Sequence, residues 1–396
     1  MAVDVLPASK VFEAAGIDPA LIPASVNIPH GPAWTTLIIW LLRVGDGIPK
    51  EAIPEIVQLY TVFSIGTFGT SYLTPFATRQ IYRWLRLAEP LDSVSMRSGG
   101  LKSDLREAFV MFAQTTPELA AEYLTAVAKS EHNEDIVRSL LTMRGTLAKA
   151  APAELAKLTA QALIARPRQR ERRFSREHEE AFTYLDHAFL QASPAQGPFL
   201  DLLTNSPKDG LALVHRLVAH AVAHRNRGAV WGTKGIDLAL SGGTRTFPWT
   251  QTYFWSRNST SYAVTSALMA LEAWAHRRIE AGEALDGVLV DVLGPKGSCA
   301  AYLLVAVDLM ISHWPKSLDV SAAFLGCPEL LCIDHTRQVH DRVELPDFFG
   351  FSALRNEPRG SVTAADLKHR PSRRTVLAEL IGKFTFMASP DQLATL

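Results

Sequence analysis

The sequence predicts a mainly α protein: an irregular helical array, HEAT- or armadillo-like, with a small inserted β-hairpin. Three observations predict it. Apolar residues recur at three- and four-residue spacing in one segment after another. Pairs of a hydroxyl residue and proline punctuate the chain where those segments begin. One stretch, 228–261, instead carries strand-like alternation and turn glycines.

Taken in order, the helical stripes are explicit. Over 101–114, Leu101, Leu105, Ala108, Phe109 and Phe112 share a face, with Lys102, Asp104, Arg106 and Glu107 opposite. Leu119, Tyr123, Leu124 and Val127 repeat the arrangement, followed by Leu155, Leu158, Ala162 and Leu163, then by Leu211, Val214, Leu217, Val218 and Ala221. No helix can bury its own stripe, so these helices must stack on one another. Thr74-Pro75, Thr116-Pro117, Ser193-Pro194, Ser206-Pro207 and Ser389-Pro390 each place a capping hydroxyl before a proline. Proline fits the first helical position because its missing donor would be unpaired there. Pro152 and Pro328 open helices in the same way. The intervals between Pro75, Pro117 and Pro152 suit helix-pair repeats of about 35–47 residues. In the hairpin, Ile236, Leu238 and Leu240 alternate, Ser241-Gly242-Gly243 turns the chain, and 244–249 returns. Further helices are expected over 262–282, 285–293 and 298–313, a loop to 371, and a last helix over 372–387. The organisation is thus an N-terminal helical region at 1–90, helical repeats at 91–227, the hairpin segment at 228–261, a C-terminal helical region at 262–346, and a loop with a terminal helix at 347–396.

Composition narrows the function classes. The chain has 396 residues, 47% of them apolar and only 20% charged, which excludes disorder for most of it. Forty Lys plus Arg balance forty Asp plus Glu, which disfavours a wholly basic nucleic-acid binder. The most apolar stretch, 299–307, is cut short by Asp308, far below the 18 or so residues of a spanning helix. Asp4, Glu13 and Asp18 stand where a signal peptide would be basic and then apolar. Three cysteines are too few for a disulfide framework. The expectation is a cytoplasmic protein with no membrane span.

Several motifs invite chemistry. Gly294-Pro295-Lys296-Gly297-Ser298 resembles a phosphate loop, but its lysine precedes the second glycine and the spacing is too short. A helix ending at Gly294 and another capped by Ser298 account for it. Asp308 is the only charge between Lys296 and Lys316, on a helix apolar nearly all round. A carboxylate there is costly unless paired, and Arg337 or Arg342 is the expected partner. Glu272 is a parallel buried-charge candidate, with His276 one turn away. Cys327, Cys332, His335 and His340 have the wrong spacing for known zinc folds, so no metal is assigned. His215, His220 and His224 lack the H-E-x-x-H pattern and read as a solvated basic face. Six arginines within 166–176 (Arg166, Arg168, Arg170, Arg172, Arg173 and Arg176) form a candidate anion or nucleic-acid contact, with Phe174 able to stack on a base. Glu177, Glu179 and Glu180 then end the basic run.

Some stretches resemble a known family. Gly31-Pro32-Ala33-Trp34 through Trp40-Leu41-Leu42-Arg43, residues 192–199, and 266–278 with the helices leading to Trp314-Pro315-Lys316-Ser317 resemble the helical region of very large bacterial ATP-binding proteins. Those proteins are similar to signal-transduction NTPases associated with anti-phage defence. The resemblance implies a helical sensor or scaffold lying C-terminal to a nucleotide-binding domain, and a chain that is a fragment or stand-alone relative of that design. No phosphate-loop motif is present here, so ATP binding is carried over to no residue.

The expected function is a non-enzymatic helical scaffold or sensor module without a cofactor, with no catalytic residue assigned. Its partner would be another protein or a nucleotide-binding domain missing from this chain. The alternative is a nucleic-acid-binding helical protein that uses segment 166–176. A weaker third reading is a hydrolase built on Asp308, Glu272 and the histidines.

Overall fold

The computed structural model describes residues 5–7, 27–29, 32–67, 69–88, 100–130, 134–164, 181–226, 235–259, 261–342, 357 and 360–394. The arginine segment 166–176 lies outside the described residues. The chain is mainly α with a small inserted antiparallel hairpin. It divides into two compact units, Met1–Leu158 and Thr159–Leu396.

The first unit holds helices α1 (Pro32–Val44), α2 (Ile53–Gly66), α3 (Thr74–Ala88), α4 (Gly100–Met111), α5 (Pro117–Lys129), α6 (Glu134–Thr142) and α7 (Arg144–Ala150). Helix α8 (Pro152–Leu163) carries the boundary between the units. A three-residue strand pair, β1 (Val5–Pro7) with β2 (Asn27–Pro29), precedes them. Strands that short offer no alternation for sequence reading to detect. The amphipathic stripes meet in an aromatic cluster, where Tyr82 lies 4.9 Å from Phe109 and Phe109 lies 5.7 Å edge-on to Tyr123. Thr116 and Pro117 open α5 as the sequence predicts, although the Thr116 side chain makes no cap hydrogen bond.

The second unit holds α9 (Phe199–Asn205), α10 (Pro207–Asn226), the hairpin β3 (Ile236–Leu240) and β4 (Gly243–Phe247), and a 3-10 segment at Thr250–Ser256. Helices α11 (Tyr262–Glu280), α12 (Leu285–Leu293), α13 (Ala301–Ser312), α14 (Leu318–Leu325) and α15 (Pro328–Arg342) follow, then the short α16 (Ala364–Lys368), α17 (Glu379–Met387) and α18 (Pro390–Leu393). The hairpin keeps the expected alternation, with Ile236 and Leu238 buried and Asp237 and Ala239 exposed. Its turn is tighter than expected: Gly243 already belongs to the return strand and pairs with Leu240.

Helix α11 is the centre of this unit, packing against α9, α10, α12 and α13. Its alanines, including Ala263, Ala267, Ala270 and Ala273, let those neighbours approach closely. An outside carboxylate fixes its start. Asp186 accepts hydrogen bonds from the Ser261 hydroxyl at 2.8 Å and from the amides of Tyr262 and Ala263 at 3.1 and 2.9 Å. A negative charge there satisfies orphan amides and complements the helix dipole. Helix α13 is buried at every position from Ala301 to Ile311, so Asp308 sits at its centre without solvent on any side.

Three expectations are corrected. Ser193-Pro194 opens no helix, and α9 begins at Phe199. The Ser193 hydroxyl is engaged elsewhere: it donates to Glu357 and accepts from the Ala195 amide at 3.3 Å, which closes a local turn. Ser298 caps no helix either. Its hydroxyl donates to the Pro295 carbonyl at 2.8 Å, and α13 starts at Ala301. In the terminal stretch, α16 falls inside the expected loop and α17 begins only at Glu379. No described helix is long and apolar enough to cross a membrane.

Candidate functional site

The two carboxylates singled out by sequence, Glu272 and Asp308, face each other's partners inside the second unit, and both are fully buried. Their partners are not those expected. Asp308 is held by Arg257, whose Nη2 lies 2.8 Å from both carboxylate oxygens, and by Arg373 Nη1 at 2.9 Å. Arg337 instead binds Asp334 at 2.9 and 3.0 Å and Asp341 at 3.1 Å. The reason is helical register: Asp334 and Asp341 lie three and four residues from Arg337 on α15, so its guanidinium is satisfied locally.

Glu272 completes the network. Arg373 Nη2 donates to both of its oxygens at 2.9 Å, and Arg257 Nη1 stands 3.6 Å away. Arg373 therefore bridges Glu272 on α11 to Asp308 on α13, while Arg257 joins the same two carboxylates to Asp341 on α15. Burial pushes the Glu272 carboxyl up, but Arg373, His276 and Arg257 together outweigh it and hold the group well below the usual carboxylate range. Asp334 is closed off by the Tyr253 hydroxyl at 2.9 Å and the Leu377 amide at 2.7 Å. The network ties α11, α13 and α15 to the segments carrying Arg257 and Arg373. Among the described residues it counts four carboxylates (Glu272, Asp308, Asp334 and Asp341) against three guanidiniums (Arg257, Arg337 and Arg373).

At one edge of this network a second cluster forms. His276 Nδ1 lies 2.8 Å from His313 Nε2, and the other His276 nitrogen stands 3.7 Å from Glu272. One ligand atom each from His276, Glu280 and His313 lie within 4.8 Å of one another. His276 is fully buried, His313 is half-buried, and Glu280 is exposed. Burial, then His276, pushes the His313 imidazole down to about 4. In the sequence His276 stands out one turn from Glu272, whereas neither His313 nor Glu280 belongs to a recognisable motif. The available signal was the spacing of Glu272, His276 and Glu280, which puts all three on one face of α11.

The other candidates are not brought together. Cys327 is buried, whereas Cys332 and His335 are exposed on α15. The expected solvated basic face on α10 is corrected. His215 is hydrogen-bonded to the Tyr302 hydroxyl at 2.9 Å, and His220 to the Ala181 carbonyl at 2.7 Å. Both are half-buried under neighbouring segments, because α10 packs on more than one face. The anion-contact candidates Arg166, Arg168, Arg170, Arg172, Arg173 and Arg176 lie outside the described residues. Neither protein-family models nor curated proteins match this chain.

Proposed function

We propose that the chain is a non-enzymatic helical scaffold or sensor module, the role implied by its resemblance to the helical region of large bacterial ATP-binding proteins. One observation carries the reading: Glu272 and Asp308, the carboxylates best placed for chemistry, are fully buried and saturated by Arg257 and Arg373. A general acid or base must reach a substrate proton, and these two reach only guanidiniums and, for Glu272, the buried His276 ring. The network acts as an internal brace that fixes helices relative to one another. The surface for a protein partner, or for a nucleotide-binding domain, comes from exposed apolar side chains. Phe386 is 93% exposed, with Met387 beside it and Leu393 on α18, and large exposed apolar groups are features of interaction surfaces.

Site-specific photo-crosslinking in cells tests the reading. A crosslinker at Phe386 is expected to give a discrete protein adduct, which Met387→Asp with Leu393→Asp abolishes while the melting temperature stays the same. A crosslinker at exposed Lys383 on the same helix serves as the control. No discrete adduct at Phe386, or one indifferent to the aspartates, counts against it. Oligonucleotide binding that falls steeply with salt, and is lost when Arg168, Arg170, Arg172 and Arg173 become Ala, would favour the nucleic-acid alternative instead.

A further inference from the structure

We propose that His276, His313 and Glu280 form a binding site for a divalent transition-metal ion of the zinc type, clamping the C-terminal end of α11 to the residue that follows α13. The site is independent of the scaffold reading, since it rests on side chains that contact no proposed partner surface.

Geometry comes first. The three residues supply two imidazole nitrogens and one carboxylate, a set found at three-ligand zinc sites whose fourth position holds water. Their ligand atoms already lie within 4.8 Å of one another. Two nitrogens bound to one tetrahedral ion at about 2.0–2.1 Å stand roughly 3.3 Å apart. The 2.8 Å between His276 Nδ1 and His313 Nε2 therefore needs to open by only about half an ångström. His276 and Glu280 are one turn apart on α11, a spacing that aims both at the same point. His313 approaches from a separate element, so an ion there would join two helices.

A second observation concerns the far side of His276. Its Nε2 is fully buried and makes no hydrogen bond, yet it faces the Glu272 carboxylate at 3.7 Å. Metal-bound histidines commonly direct their other nitrogen at a carboxylate, which fixes the tautomer and makes the ring a better ligand. With an ion on Nδ1, the His276 proton sits on Nε2 and points at Glu272. Arg373 in turn locks Glu272 through two 2.9 Å hydrogen bonds. Charge agrees with geometry. The adjoining buried network has one more carboxylate than guanidinium among the described residues, so a cation at its edge offsets an existing excess. Two cations among the described residues oppose the ion: Arg370, from the segment after α16, is ion-paired with Glu280 and competes for its carboxylate, and the Lys316 charge also reaches His313.

The experiment uses the full chain, stripped with a chelator and titrated with Zn2+ by calorimetry and with Co2+ by visible absorption. One ion per chain is expected, with a Co2+ spectrum of tetrahedral nitrogen and oxygen coordination. Glu280→Gln, at an exposed position, should weaken Zn2+ binding at least tenfold, and His313→Ala at least a hundredfold. Arg370→Gln should tighten it several-fold by releasing Glu280, a response that a merely structural role for the cluster would not give. Cys332→Ser with His335→Asn, which removes the exposed thiol and imidazole of α15, should leave affinity unchanged. Circular dichroism of each variant confirms folding. Wild type taking up no stoichiometric ion overturns the proposal, as do Glu280→Gln and Arg370→Gln variants that bind as wild type does.

Discussion

Arg373 and Asp308 meet at 2.9 Å in the interior of the second unit, where the same guanidinium also clasps Glu272 through two bonds. A buried carboxylate on an all-apolar helix is thus stabilised by arginines from distant parts of the chain. The arrangement explains why a residue so costly to bury is tolerated at the middle of α13.

Replacing Asp308 with Ala leaves Arg257 and Arg373 facing a low-dielectric interior with one acceptor fewer. Breaking a buried pair by removing one partner costs about 3–5 kcal/mol, much of it the penalty of the orphaned charge. Urea unfolding followed by tryptophan fluorescence should show that loss, since Trp255 and Trp274 belong to the same unit. A loss under about 1 kcal/mol would mean that Glu272 and Asp341 satisfy both guanidiniums unaided.

Asp186→Ala removes the acceptor for the Ser261 hydroxyl and for two amides at the start of α11. Loss of a capping side chain costs about 0.5–2 kcal/mol, and here the carboxylate also complements the helix dipole. Asp186→Asn keeps an acceptor without the charge and should fall between the two. Melting temperatures of the three proteins, measured at low and high salt, separate the hydrogen-bond and charge contributions, because only the latter is screened.

Gly210→Ala tests a close approach of one helix backbone to another. Alanine is favoured over glycine in a helix by about 1 kcal/mol, so propensity alone predicts stabilisation. A Cβ at this position would lie 2.6 Å from the Leu203 amide nitrogen and 2.8 Å from its Cα, both backbone atoms of α9 that cannot rotate away. The clash should win, with a net loss of about 1–3 kcal/mol. A rise in melting temperature would show that α9 and α10 separate freely.

The helical character was legible because the stripes at 101–112 and 211–221 follow the period of a helix, and Pro117, Pro152, Pro207 and Pro328 each stand at a helix start. Asp308 was legible as a problem because it interrupts a run with no other charge. Its solution was not. Arg257 and Arg373 come from segments that carry no periodicity pointing at α13, and only tertiary packing sets their approach. The expected partner Arg337 had two carboxylates within one helical turn, and local geometry prevailed. Ser193-Pro194 shows the converse: a sound capping signal lost to a tertiary partner, Glu357. The capping box of Thr363 and Asp366 was present in the sequence, but its helix is only five residues long and lacks an apolar stripe.

The stability of the second unit should depend on pH through His215. Burial, then the nearby Arg245 charge, pushes this imidazole below its ordinary value of 6.5, and the Tyr302 hydroxyl holds it at 2.9 Å. The unfolded chain therefore binds the proton more readily than the folded one. Stability is complete above pH 6.5 and falls as the pH drops below it, because protonation draws the equilibrium towards the unfolded state. The slope from this one group cannot exceed about 1.4 kcal/mol per pH unit. His215→Gln retains a partner for Tyr302 and removes the titration, so it should be less stable than wild type at pH 8 and lose less on acidification to pH 5. His313 shifts in the same direction and remains in both proteins, so the comparison isolates His215. Parallel curves for the two proteins between pH 6.5 and 5 would show that His215 is protonated as easily in the folded chain as in the unfolded one.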